Sequence, residues 1–250
     1  MKAIIIGAGR GERLMPHTKD APKCFARVKG SSILDWGLKA LHAGGLDDVV
    51  FIGGYRIESI QEAYPAFTFC HNADWPHNNI LISLMHAEAH MADGFVCAYS
   101  DILYTPGMIA QLMDSPHDIT LVCDTAWRER YVQRTEHPEW DAEKMAAKGD
   151  RVVAINRTME SEEARGEYIG VARFTPDGAR VFREAFQEAR KQYDGNPFRA
   201  AKTFQKAYLI DLLQEMIESG LAIHLVETRG GYMEIDTNQD FQIARKEWTG

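Results

Sequence analysis

A short apolar run, Ala3-Ile4-Ile5-Ile6, leads directly into Gly7-Ala8-Gly9-Arg10-Gly11-Glu12-Arg13-Leu14, with Pro22-Lys23 close behind. Glycines let a backbone approach phosphate oxygens, and successive exposed N–H groups in such a turn form an anion-binding concavity. Arg13 and Lys23 place two cations beside it. These residue types, at this spacing, suit the holding of a nucleoside triphosphate.

Spacing separates the phosphate-binding turns that compete for this segment. A Walker loop needs four residues between its glycines and then Gly-Lys-Ser/Thr, which is absent. The dinucleotide fingerprint wants G-x-G-x-x-G, whereas Gly7, Gly9 and Gly11 give G-x-G-x-G with Pro16 behind them. The segment resembles instead the signature of the nucleotidyltransferases that activate sugar phosphates and phosphocholine. That signature reads roughly G-x-G-x-R-L-x-P-x-T and then P-K, carried here by Gly9, Gly11, Arg13, Leu14, Pro16, Thr18, Pro22 and Lys23. The plain alternative is a strand-to-helix turn with surface cations.

Two carboxylates follow strand-like stretches. Asp101 lies just past Phe95-Val96-Cys97-Ala98-Tyr99, and Asp236 ends Tyr232-Met233-Glu234-Ile235. The carboxyl end of a sheet strand is where α/β proteins bind ligands, and hard cations such as Mg²⁺ take carboxylate oxygens. Aspartate is also a common loop starter at strand ends. In the family that the opening resembles, two aspartates in matching places hold the metal, which implies Mg²⁺ on Asp101 and Asp236.

The resemblance runs through nearly the whole chain and implies a Rossmann-like three-layer α/β/α fold, with a mostly parallel mixed sheet and an acceptor-binding insertion. His71-Asn72-Ala73-Asp74-Trp75, then Asn78-Asn79-Ile80 and Ser83-Leu84, resemble the asparagine-rich segment of the phosphocholine cytidylyltransferase group, which lies near the nucleotide there. The implied nucleotide-binding set is therefore Gly7, Ala8, Gly9, Arg10, Gly11, Arg13, Lys23, Gly54, Asn79 and Ser83. Tyr99 to Tyr104, Asp124, Trp127-Arg128 through Tyr131 and Arg134, and Gly166-Glu167-Tyr168-Ile169-Gly170 resemble bacterial relatives that attach CMP to small phosphorylated or phosphonate compounds.

An acceptor site is expected around Trp127, Arg128, Tyr131 and Arg134, with Glu167 and Tyr168. On a helix Trp127 and Tyr131 are i, i+4, so aromatic and cationic groups would share a surface. Arginine grips phosphate bidentately, aromatic faces suit an alkylammonium group, and Glu167 would balance a cationic substrate group. A solvated amphipathic helix is the bland reading of the same residues.

The elements needed to position these groups are legible as alternating strand and helix patterns, the mark of a parallel-sheet α/β domain. Strands are expected at residues 2–6, 48–52, 68–70, 95–99 and 119–123. Helices are expected at 32–43, with a Ser32/Asp35 capping box and a Gly44-Gly45 stop, at about 57–64, and at about 79–91 capped by Asn78 or Asn79. Residues 124–149 lack simple periodicity. Strand patterns resume at 152–155 and 168–174, long helices at 176–193 and 203–219, strands at 222–226 and 232–236, and a last helix from about 239. One domain is expected over 1–250, its nucleotide core mainly 1–123 and 222–250, its acceptor part mainly 124–221.

The 250 residues carry 45% apolar content and a formal net charge of −8. That balance disfavours nucleic acid as a partner, because such affinity comes from clustered Lys and Arg, but it leaves room for a small anionic substrate in a local positive pocket. No apolar stretch is long enough for a membrane span and no leader pattern opens the chain, so a cytoplasmic enzyme is expected. Cys24, Cys70, Cys97 and Cys123 are scattered singly and read as reduced thiols. His86 and His90 stand at helical i, i+4 spacing around Glu88, in the order H-A-E-A-H rather than H-E-x-x-H.

The resemblance implies a Mg²⁺-dependent transfer of CMP from CTP to a small phosphorylated or phosphonate acceptor, with Lys23, Arg13, Asp101 and Asp236 as the catalytic groups. The acceptor is open at this point among phosphocholine, an aminoalkylphosphonate, a phosphorylated amino acid or amide, and a sugar phosphate. A sugar-1-phosphate nucleotidylyltransferase using UTP, dTTP or GTP is the rival enzyme. A non-catalytic nucleotide-sensing subunit is the rival from another class, disfavoured by the retention of both aspartates.

Overall fold

The computed structural model describes all of residues 1–250. Along the chain the strands are β1 (Lys2–Gly7), β2 (Arg27–Val28), β3 (Ser31–Ser32), β4 (Val49–Gly53), β5 (Thr68–His71), β6 (Phe95–Tyr99), β7 (Ile102–Tyr104) and β8 (Ile119–Asp124). They continue with β9 (Lys144–Lys148), β10 (Arg151–Asn156), β11 (Gly166–Phe174), β12 (His224–Thr228) and β13 (Tyr232–Glu234). The helices are α1 (Ile33–Ala43), α2 (Ile57–Ala63), α3 (Ile80–Met85), α4 (Pro106–Met113), α5 (Trp127–Tyr131), α6 (Pro176–Tyr193), α7 (Leu209–Glu218) and α8 (Asn238–Glu247).

Period-two alternation in β1 decides the layering, because successive side chains of a strand leave opposite faces. Ile4 and Ile6 join Val50, Ile52, Leu81, Leu84, Phe182 and Leu212 in one apolar cluster. Ala3 and Ile5 join Phe51, Leu34, Leu38, Leu41 and Ile109 on the other face. Each large aliphatic side chain so buried is worth about 1.5–3 kcal/mol relative to exposure, so the centre of the sheet is fixed by short β-branched runs. The expected α1 start and stop are both present: Asp35 N–H donates to Ser32 Oγ at 2.9 Å, Ser32 N–H donates to Asp35 at 3.2 Å, and Gly44 follows the helix.

The main sheet has nine strands in the order β5-β4-β1-β6-β11-β8-β12-β10-β9. It is mixed: β1 pairs in parallel with β4 and β6, β12 pairs in parallel with β8, and β11 runs antiparallel to both β6 and β8. It departs from an open sheet at its far end, where β9 pairs with β11 as well as with β10. Strands β11, β8, β12, β10 and β9 therefore close into a ring. Strand β9 lies in the stretch without periodicity, and β11 sits in the middle of the sheet, so residues 124–221 build the same sheet as the N-terminal half.

Two helices are shorter than their apolar patterns suggest. The expected helix over 79–91 is α3 followed by a separate 3-10 turn at Glu88–His90, and the one over 203–219 begins only at Leu209, after a 3-10 turn at Phe204–Lys206. In both places the chain keeps burying apolar residues without keeping helical hydrogen bonds.

A two-stranded ribbon does the remaining positioning. Strand β13 lies antiparallel on β7, pairing Tyr232 with Tyr104 and Glu234 with Ile102, and Ile235 N–H donates to the Asp101 carbonyl at 3.0 Å. Asp101 and Asp236, far apart in sequence, are thereby brought to one spot. Helix α8 then packs Phe241, Ala244 and Trp248 against Leu14, Val28 and Leu103 under the glycine-rich turn.

Candidate active site

The glycine-rich turn, Lys23 and both aspartates open onto one cavity of about 520 Å³ at the carboxyl ends of β1 and β6. Gly7, Ala8, Gly9, Gly11, Arg13, Lys23, Asn79, Ser83, Asp101 and Asp236 all line it. Two expected members do not. Arg10 lies 3.7 Å from Glu12 and over the Tyr55 ring, and Gly54 lies beneath the turn, where a Cβ would meet the Ala8 carbonyl and Trp75 at 2.6 Å. Gly54 thus shapes the wall without facing the cavity.

Local chemistry explains the shape. Gly11 has φ +69°, and a side chain there would collide with the Lys23 stem at 2.8 Å. Left-handed backbone without Cβ is what lets Lys23 pass under the turn. Thr18 is fully buried and donates to the Gly11 carbonyl at 2.9 Å, which ties the two ends of the signature together. On the opposite wall Asn72, Asn78 and Ser83 hold one another, with Asn72 Nδ2 donating to Asn78 at 2.8 Å and to Ser83 at 2.9 Å. Asn79 caps α3 by accepting from Ile80 N–H at 2.9 Å.

At the centre, Lys23 Nζ donates to Asp101 at 2.9 Å and to Asp236, and Arg13 is ion-paired with Asp236. Burial alone would lower the Lys23 pKa, but the charges of Asp101 and Asp236 outweigh it and hold the ammonium above its ordinary value. Burial likewise pushes Asp236 up, while Lys23 and Arg13 pull it well below the usual carboxylate range. Both groups are ionised at neutral pH. Asp236 is oriented from behind, since its N–H and that of Thr237 donate to Asp240 in the capping box of α8.

A second cavity, of about 310 Å³, abuts the first: Arg13, Asn79, Tyr99 and Asp236 line both. Its other walls include His137, Asp141, Glu143, Arg157, Glu167, Tyr168, Tyr208, Tyr232 and Glu234. Here β11 bulges, its register against β8 shifting between Tyr168 and Ala172, and Gly170 at φ +78° accepts the Tyr99 ring where a Cβ would be 2.4 Å away. The Tyr99 hydroxyl is buried and has no hydrogen-bond partner. Such a group ordinarily has one.

Of the expected acceptor residues, Glu167 and Tyr168 line this second cavity, and Trp127, Arg128, Tyr131 and Arg134 do not. Helix α5 is a single turn, so the i, i+4 face does not extend to Arg134. Trp127 is buried against Tyr131 and Ala142, Arg128 points out to Glu162 at 3.0 Å, and the Tyr131 hydroxyl donates to Glu167 at 2.8 Å. Arg134 is spent on Asp240 at 2.7 Å and Glu234 at 3.0 Å. Glu167 is in turn paired with Arg130, which it shares with Asp124.

The residues that sequence reasoning missed are His137, Asp141, Glu143, Arg157, Tyr208 and Glu234. Arg157 Nη1 donates to Asp141 at 2.7 Å and Nη2 to Glu143 at 3.1 Å, and the guanidinium lies 3.9 Å over the Tyr208 ring. Its position directly after β10 is the same strand-end signal that found Asp101. His137 stands 3.6 Å from Asp236 and 3.7 Å from Glu234, in a stretch whose pattern gives no hint of it. Burial pushes Glu143 up to about 7 against the pull of Arg157, and burial with the Asp236 charge pushes Glu234 up to about 7.

Cys24 lines the first cavity from behind, and burial pushes its thiol up to about 12, so it is protonated and unreactive. His86 and His90 share no helical face, because α3 ends at Met85.

Comparison with known proteins gives the family. Residues 3–136, more than half of the chain, match the MobA-like NTP transferase domain, and the chain belongs to that family of nucleotidyl-transferring enzymes. It is 26% identical to the CTP:phosphoglutamine cytidylyltransferase of Campylobacter jejuni, over 97% of this chain and 98% of that one. It is 31% identical over 100 residues to the 2-aminoethylphosphonate cytidylyltransferase of Lancefieldella rimae, covering 38% of this chain and 41% of that one. The solved CTP:phosphocholine cytidylyltransferase of Streptococcus pneumoniae superposes with a TM-score of 0.74 at 21% identity, over 98% of this chain and 97% of that one. No helix is long and apolar enough to cross a membrane.

Proposed function

We propose that this enzyme transfers CMP from CTP to a small phosphorylated or phosphonate acceptor that carries a nitrogen-bearing tail, releasing pyrophosphate. The observation that carries this reading is the shared wall of Arg13, Asn79, Tyr99 and Asp236 between two cavities, one built for a polyanion and one acidic and tyrosine-lined. A donor in the first and an acceptor in the second would meet at Asp236. The named relatives act on CTP with phosphoglutamine, aminoethylphosphonate or phosphocholine, which supports the choice of base and of acceptor class.

In the reaction an acceptor phosphate or phosphonate oxygen attacks the α-phosphorus of CTP. The new P–O bond forms as the bond to the β-phosphate oxygen breaks and pyrophosphate leaves. A phosphate monoester already carries much of its second charge near neutrality, its second pKa being about 6, so no general base is needed. The turn N–H groups and Arg13 hold the outer phosphates, and Lys23 stands beside the reacting phosphoryl group. Charge stabilisation and alignment supply the rate.

Asp101 and Asp236 fit a hard cation, offering carboxylate oxygens that converge on Lys23 Nζ. When bound there, Mg²⁺ would neutralise charge on the triphosphate. In the second cavity the carboxylates of Asp141, Glu143 and Glu234, with Tyr99 and Tyr208, offer hydrogen-bond acceptors and aromatic faces to an ammonium or amide group.

The test is a panel of CTP, UTP, dTTP and GTP against phosphocholine, 2-aminoethylphosphonate, phosphoglutamine and glucose 1-phosphate, read as pyrophosphate release with Mg²⁺. Turnover is expected only with CTP and a nitrogen-bearing acceptor. Preferential turnover of glucose 1-phosphate with UTP, dTTP or GTP would replace this reading by a sugar-nucleotide one.

A further inference from the structure

At the opposite strand ends from the active site, three potential metal ligands from three separate elements converge. His117 lies in the turn before β8, Asp150 in the tight turn between β9 and β10, and His224 begins β12. Strands β8 and β12 run parallel, so both histidines lie at amino-terminal strand ends, whereas the nucleotide cavity lies at carboxyl-terminal ends. His117 Nε2 is 2.9 Å from one Asp150 oxygen and His224 Nδ1 is 3.4 Å from the other. One ligand atom from each of the three lies within 4.8 Å of the others.

The surroundings hold this arrangement in place. Arg173 Nη1 donates to the Ser115 and His117 carbonyls at 2.9 and 3.2 Å, which pins the turn that carries His117. Leu225 N–H donates to the Asp150 carbonyl at 2.8 Å, and Val152 N–H donates to the Ile223 carbonyl at 2.9 Å, which locks the β9–β10 turn beside the start of β12. The two imidazoles lie face to face, centroids 3.5 Å apart and 5° from parallel. His224 Nδ1 is buried and makes no hydrogen bond.

We propose that His117, Asp150 and His224 form a binding site for a divalent transition-metal ion of the zinc class. Two imidazoles and one carboxylate, with a fourth position open to solvent, are a donor set that such ions take and that Mg²⁺ does not favour. The orphaned His224 nitrogen gains a partner on binding. Each ring's lone pair lies in its own plane, so a shared ion turns the rings out of their stack. The site ties the β9–β10 hairpin to β8 and β12, and that hairpin ends at Glu143 and Arg157 in the second cavity. Its role is to brace the sheet, separate from catalysis.

Zinc chloride titrated calorimetrically into the full chain, free of any histidine tag, tests this. Wild type should bind one more zinc equivalent than a His117→Ala/His224→Ala variant. Zinc taken up at His137, Glu234 and Asp236 is common to both proteins and cancels in the difference. At about a hundredfold excess over Kd, zinc should raise the wild-type Tm by about 5 °C or more beyond any rise in the variant. The ring resonances of both histidines should shift together. Turnover without zinc should match wild type in the variant. Should the double variant fail to fold, Asp150→Asn and His224→Gln give the same comparison. Equal stoichiometry in all proteins, or no wild-type binding tighter than about millimolar, overturns the site.

Discussion

The two cavities that meet at Asp236 are built by opposite means. The nucleotide cavity takes its phosphate-facing wall from one short continuous segment, the turn through Lys23, whose backbone conformation does much of the work, and is closed by the Asn78, Asn79 and Ser83 wall and by two aspartates that a ribbon delivers. The acceptor cavity is assembled from single side chains on at least five elements, and its charged ones are already committed to ion pairs: Arg157 with Asp141 and Glu143, Glu167 with Arg130, Glu234 with Arg134. The first kind of site suits the one ligand part that a whole family shares. The second can change its specificity by one substitution, because single side chains rather than one continuous turn line most of it.

Substitutions on the two sides should therefore fail in different ways. The largest effect is expected for Lys23→Ala, which removes the cation shared by Asp101 and Asp236. Turnover should fall by about a hundredfold or more, with an unchanged circular dichroism spectrum. Near-wild-type kcat would remove Lys23 from the chemistry. Next comes Arg157→Ala, expected to raise the KM for the acceptor about tenfold or more by releasing Asp141 and Glu143, while the KM for CTP stays within about twofold. Equal changes in both would mean that the two cavities are not functionally separate.

A subtler effect concerns Glu143, whose folded pKa of about 7 exceeds its ordinary value. The folded protein then holds a proton that the unfolded chain has released between roughly pH 4.5 and 7, so this group's contribution to stability is full at low pH and is lost as pH rises through about 7. Glu143→Gln lacks that loss. Its thermal midpoint relative to wild type should move upward between pH 5 and pH 8, by at most about 3 kcal/mol of stability. A gap independent of pH would show that Glu143 is ionised in the folded state throughout. The smallest effect is expected for Arg128→Ala, with both KM values and kcat within about twofold, since Arg128 faces solvent and Glu162. A large acceptor KM increase there would restore the sequence expectation of an arginine on α5 that grips phosphate.

What was legible in the sequence follows the same division. The central strands, the capped α1 and the phosphate turn are local, written in β-branched runs, in Ser32 with Asp35, and in glycines whose spacing excludes other turns. Asp101 and Asp236 could be found because strand ends are where ligands sit. Arg134 is misplaced by sequence because helical spacing does not run beyond the single turn that α5 makes, and because an arginine shows its charge in sequence but not its partner; Trp127 and Tyr131 do share a face, but one packed against Ala142. Asp240 and Glu234, which hold Arg134, lie about a hundred residues away. Strand β9 was invisible for a related reason: it has no alternation of its own and owes its place to pairing with both β10 and β11.

Diffraction from crystals soaked with CTP and Mg²⁺ tests the central claim most directly. The triphosphate is expected against the Gly7–Arg13 turn, with Lys23 beside the α-phosphate and a magnesium ion on Asp101 and Asp236. CTP seated in another part of the molecule, or a triphosphate in this cavity with neither aspartate on the metal, would contradict it.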